Sequence, residues 1–182
     1  METDTEERLP LDPELLAGLT ELPMATRSTF ALLYQLANEE IAEGEELVPT
    51  LFGIRLSGNA VGEIVPAPIG DMFLNAETKS KVPAFMRQLL RESHLDLVAI
   101  WSEAWIVVRP LPKNEAVNMS DFSEPPSQAA DRRECVMFTA LYGDQQFLAT
   151  AIINRAARRL ERLGTATTMA GNMAESPSGT GH

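Results

Sequence analysis

The chain has 182 residues, 45% of them hydrophobic and 23% charged, and a formal net charge of −11. That length gives one domain with tails and enough chain for a sizeable core, while no apolar run approaches the ~20 residues a membrane-spanning helix needs. A single cysteine, Cys135, excludes an intrachain disulfide and any multi-cysteine metal site.

The start, METDTEERLP, lacks the basic-then-apolar order of a signal peptide, so the expectation is a cytoplasmic protein with a disordered acidic segment over 1–10. Residues 1–50 hold 12 Asp and Glu against Arg8 and Arg27, which leaves a net of only −1 for the remainder. Solvated helix faces account for this; the sharper reading is an acidic surface that meets a basic partner or imitates nucleic acid. Acidity of this size opposes general DNA binding, whose affinity comes mainly from neutralised phosphates.

In 12-DPELLAGLTEL-22, Asp12 is a fair cap and Pro13 suits the first helical position, so a short helix is predicted. From Ser28, Phe30, Leu33, Tyr34, Ala37 and Ile41 recur at helical spacing, with Gly44 as the stop. The acidic C-terminal end of this helix opposes its dipole, which marks either a functional acidic patch or an exposed end that tolerates a cost of a few tenths of a kcal/mol. Thr50–Leu56 and Ala60–Val65 flank Ser57-Gly58-Asn59 and read as a hairpin ended by Pro66-Ala67-Pro68. Over 80–93 the stripe Val82, Phe85, Met86, Leu89 and Leu90 predicts a helix, with Ser80 as cap and Pro83 in the first turn.

The next stretch, 97-LVAIWSEAWIVV-108, reads as a strand that carries both tryptophans and one carboxylate. Alternation puts Trp101, Glu103 and Trp105 on one face and the aliphatic set from Val98 to Val108 on the other. The aliphatic face is the natural core face, so the tryptophans belong on a half-exposed one. Twelve residues at ~3.3 Å each would span about 40 Å, which favours a bulge near Ser102-Glu103. Residues 110–131 lack periodicity and form a long loop. A strand over 134–142 follows, then a hairpin return into 147–153, where strand and helix patterns compete. Ala156, Leu160 and Leu163 then predict a helix from about 154 to 163, and the small polar residues 164–182 a disordered tail.

The order is thus a single α+β domain over 11–163, with a roughly five-stranded antiparallel sheet in ββ-α-βββ order between N-terminal and C-terminal helices. Profilin-like and roadblock-type sandwiches are the analogy, at the level of fold alone.

For Glu103 three readings stand: a solvated or interface carboxylate, a partner of Arg132 or Arg133, or a general acid or base in an apolar pocket. A lone carboxylate lacks the second group that glycosidase or metal chemistry would need, and Glu134 and Asp131 are the only candidates near it in topology. His94 and His182 do not suggest a shared metal site, so no metal and no cofactor is implied. Cys135 alternates with Met137 and Thr139 as a buried strand residue does. The glycines of 53–62 match neither a phosphate loop nor a dinucleotide fingerprint. On the predicted last helix, Arg155, Arg158, Arg159 and Arg162 would form one stripe. It would be a solvated face, an anion-binding surface, or a surface that receives the acidic N-terminal half of a second copy.

The run EAW at 103–105, a long Ser/Pro-bearing loop, DRRE at 131–134 and PTLFGI at 49–54 together resemble a group of small bacterial and phage proteins, over roughly residues 28–155. The resemblance implies a bacterial or phage-type origin and carries no site residues. The first reading of function is a non-enzymatic module that binds another protein or itself, with Trp101, Glu103, Trp105, Arg132 and Arg133 as interaction candidates. Behind it stand a nucleic-acid accessory protein using the arginine stripe and a hydrolase using Glu103.

Overall fold

The structure is a computed structural model that describes residues 13, 17–107, 128 and 130–165. In chain order its elements are α1 (Met24–Glu43), β1 (Thr50–Ser57), β2 (Ala60–Pro68), a 3-10 turn (Gly70–Phe73), α2 (Ala76–Glu92), β3 (Leu97–Val107), β4 (Arg132–Tyr142), β5 (Gln145–Asn154) and β6 (Arg159–Thr165). The class is α+β, as the hairpin-rich pattern predicted. The sheet has six strands rather than five, in the order β2-β1-β3-β4-β5-β6, and every pairing is antiparallel.

Helix α1 starts four residues earlier than its apolar stripe suggested. Pro23 takes an extended ψ of 144° as its cap, and the Arg27 N–H donates to the Pro23 carbonyl. It ends where expected: Gly44 takes φ 89°, and its N–H and that of Glu45 donate to Ile41 and Glu40, a left-handed stop that most residues resist. Its inner face buries Phe30, Leu33, Ala37 and Ile41 on one side of the sheet, against Phe52, Leu97, Ala99, Trp101, Val136, Phe138 and Ala151. Helix α2 covers the opposite side, where Val82 and Met86 meet Leu51, Val98, Ile100 and Leu141. Its cap is Asn75, whose side chain accepts from the Thr78 N–H, and not Ser80. Pro83 therefore lies inside the helix rather than in its first turn.

A helix on each side changes what the strands need. The first residues of β1 and of β3 are buried on both faces, so both read as continuous apolar runs instead of alternating ones. Trp101 accordingly sits in the α1-side core, 5% exposed, and not on a half-exposed face. No bulge forms at Ser102-Glu103, since β3 pairs with β4 in unbroken register from Leu97 to Val107.

The predicted C-terminal helix is a turn over 155–158 followed by β6. Leu160 and Leu163 are three apart, as on a helix, yet both face the core of a strand. An irregularity in the β5–β6 register, with Arg162 at φ 57°, supplies the extra residue that returns Leu163 to the same face as Leu160. The strand 147–153 is as favoured, extended to Gln145–Asn154. In the predicted first helix, Pro13 and Ala17 are helical and 18–21 form a turn that buries Leu19. Gly164 and Thr165 close β6, so the tail begins later than 164. The acidic start over 1–10, most of the 110–131 loop and the tail over 166–182 lie outside the described residues.

Each sheet edge is interrupted. The Ile69 N–H donates to the Pro49 carbonyl, so by antiparallel parity Pro66 and Pro68 turn their nitrogens outward and leave β2 without donors there. On β6, the Leu160 N–H donates to Asn38 Oδ1 at 2.7 Å, and Tyr34 Oη donates to the Leu160 carbonyl at 2.8 Å. Two residues one turn apart on α1 thus stand in for a neighbouring strand.

Candidate functional site

The strand residues that stood out in sequence cluster at one end of the sheet, where β1 begins, β3 and β5 end, and β4 and β6 start. Trp101 donates its indole N–H to the Val48 carbonyl at 2.9 Å and meets the Phe52 ring edge-on, centroids 4.7 Å apart. Two residues along, Glu103 Oε1 accepts from the Leu47 N–H at 3.0 Å and from Arg155 Nη2 at 2.8 Å. These two side chains fix the connector between α1 and β1 onto β3. Arg155 also donates to Glu134 Oε2 at 3.2 Å and to the Glu45 carbonyl at 3.3 Å. Burial pulls the Arg155 guanidinium down, and its hydrogen bonds to Glu103 and Glu134 more than reverse this, so it lies above its ordinary value.

Glu103 therefore pairs with an arginine, but with neither of the two expected. Arg132 faces Val107 in the ladder, beyond Trp105, and stacks its guanidinium over the Trp105 ring, 4.6 Å from the centroid. Arg133 lies opposite Ile106, on the other side of the sheet from Glu103. Arg155 reaches Glu103 because β5 ends at Asn154 and releases it into the turn on the α1 side. Trp105 remains 40% exposed.

The four C-terminal arginines do not form a stripe. Arg155 is committed to Glu103 and Glu134, while Arg159 pairs with Glu161 at 2.9 Å. The carboxyl of Glu161 lies below its usual range, held there by its hydrogen bonds from Asn154 and Arg159. Arg158 is exposed in the turn at φ 49°, and Arg162 is exposed at the irregularity. Burial pushes the Cys135 thiol up to about 11, which suits a core residue and not a nucleophile.

Beside this cluster lies a feature that only the folded chain assembles. An open cleft of about 730 Å³ runs between the C-terminal end of α1 and the adjoining ends of β1 and β2. Leu36, Phe52, Trp101, Pro66 and Pro68 line it with apolar surface, and Glu39, Glu40, Glu43 and Glu45 give it four carboxylates. None of the ion pairs among the described residues involves these four glutamates. Their place at a helix C-terminus with no basic residue in its last turn is electrostatically unfavourable. That oddity was the one trace of the cleft visible in sequence. Glu103 does not line it.

Among the described residues, no group of three His, Cys, Asp or Glu is placed to hold a metal ion. No helix among them is long and apolar enough to cross a membrane. Comparison with family models, curated proteins and solved structures gives no match for this chain.

Proposed function

We propose that the chain is a cytoplasmic, non-enzymatic protein-binding module of bacterial or phage type, whose cleft takes a basic amphipathic segment of a partner. The observation that carries this reading is the cleft itself: apolar lining, a rim of four carboxylates, and no cation of the described chain paired with them. An occupant with apolar residues on one side and Lys or Arg on the other would satisfy both. It would also relieve the repulsion between the glutamates and the negative end of α1. Glu103 enters as a positioning residue, since its bond to the Leu47 N–H holds the connector that carries Glu45.

The test is fluorescence anisotropy with a labelled peptide that alternates Leu and Lys at helical spacing. Binding is expected to weaken with salt. It should fall by roughly tenfold or more in the E39Q/E40Q/E43Q/E45Q protein, because each exposed pair contributes ~0.2–1 kcal/mol. The same substitutions should raise stability slightly, since they remove anions from a helix C-terminus. A variant that binds as tightly as the parent, or a Glu-for-Lys peptide that binds equally well, would overturn the reading.

A further inference from the structure

The segment best matched to the cleft on charge is part of this chain. The turn over 155–158 and its neighbour read Arg155-Ala156-Ala157-Arg158-Arg159, and all five residues are exposed. The turn is small-residued at its centre and basic at both flanks, with Asn154 Oδ1 accepting from the Ala157 N–H to hold its shape. Arg155 and Arg159 have carboxylate partners in the same molecule, but Arg158 has none among the described ion pairs. Left-handed backbone at Arg158, where Gly or Asn is usual, sets an arginine at the corner of this turn.

The cleft and the turn lie at the same end of the sheet, side by side, joined where Arg155 donates to the Glu45 carbonyl. One end of the molecule thus has an acidic half over β1 and β2 and a basic half at β5 and β6. Such a surface is self-complementary under a two-fold rotation: end placed against end, the turn of each copy faces the cleft of the other. Val48, 54% exposed, and Trp105 lie at the same end and add apolar area between the two halves. The interrupted edges of β2 and β6 argue against association by strand pairing instead.

We infer that the occupant of the cleft is the β5–β6 turn of a second copy, so that the protein forms a two-fold dimer through reciprocal turn-in-cleft contacts. The inference rests on the cleft being a site for basic segments. Sedimentation velocity over a concentration series, at low and high salt, tests it with two charge reversals, E39K/E43K and R158E/R159E. All four positions are exposed, and circular dichroism checks that each variant keeps its fold.

Wild type should move from one chain mass to two as concentration rises, and salt should reverse this. Each variant alone should associate roughly tenfold or more weakly, the size of a few exposed charge pairs. An equimolar mixture of the two variants should regain the dimer, because the unchanged basic turn of one then meets the unchanged acidic cleft of the other, and the reversed turn meets the reversed cleft. A wild type that stays monomeric, or a mixture no better than its components, overturns the dimer. Adding the Leu/Lys peptide to the same samples separates the two readings. A monomer that binds the peptide removes only self-association, and a monomer that ignores it removes the cleft reading as well.

Discussion

Replacing Glu103 by alanine removes two accepted hydrogen bonds at once, and their costs differ in kind. Leu47 is 4% exposed, so its N–H loses a partner with little water to replace it, at about 1–3 kcal/mol. The ion pair with Arg155 has side chains 37% and 26% exposed, and solvent screening holds it to about 1 kcal/mol or less. Arg155 also keeps Glu134 when Glu103 is gone. The expected loss for Glu103→Ala is therefore about 1–4 kcal/mol. Glu103→Gln keeps an oxygen for Leu47 and gives up only the charge, so its loss should stay near 1 kcal/mol or below.

Urea unfolding followed by tryptophan emission suits the comparison, because Trp101 is buried and leaves the core on unfolding. In thermal unfolding the alanine protein should melt roughly 5–10 °C lower and the glutamine protein within about 3 °C of wild type. Equal damage from both would mean that the charge, and not the Leu47 bond, is what matters. An alanine protein as stable as wild type would remove Glu103 from any structural role.

Two further outcomes follow from groups of known environment. Asn38→Ala orphans the buried Leu160 N–H and should cost about 1–3 kcal/mol; Asn38→Asp keeps an acceptor and should recover most of it. Amide hydrogen exchange at Leu160 reads this directly, and unchanged protection in the alanine protein would refute it. The Cys135 thiol ionises near 9.0 in the unfolded chain and about 11 in the folded one. Its contribution is thus fully present below 9.0 and is lost as pH rises through about 11, by up to roughly 2–3 kcal/mol. Urea midpoints across that window should fall less steeply for Cys135→Ala, and parallel profiles would show that the thiol is not responsible.

Local signals carried much of the fold. The apolar stripe of Phe30, Leu33, Ala37 and Ile41 and the Gly44 stop specify α1 almost unaided, and Gly58-Asn59 specifies the first hairpin. What escaped was set by neighbours remote in sequence. Alternation leaves the Trp101 face half-exposed only while nothing packs on it, and α1, remote in sequence, covers it while α2 covers the aliphatic face. Leu160 and Leu163 imitate a helix only because the irregularity at Arg162 adds a residue between them. Glu103 was legible as a residue in search of a cation, but its partner comes from the turn that follows β5, two strands away. The cleft needed α1, β1, β2 and β3 brought together, and no single segment announces it.

The prolines of β2 and the Asn38–Tyr34 pair over β6 set a limit on what the sheet can become. In fibre growth each added chain hydrogen-bonds to the open edge of the last, and the repeat needs an uninterrupted row of outward donors and acceptors. Here one edge lacks N–H groups at alternate positions, and the other has its Leu160 groups already bound by a helix. At those positions the sheet ends on its own backbone. Crowding copies together brings side chains into contact there without offering backbone to backbone, which disfavours a ladder that grows through Pro66, Pro68 or Leu160.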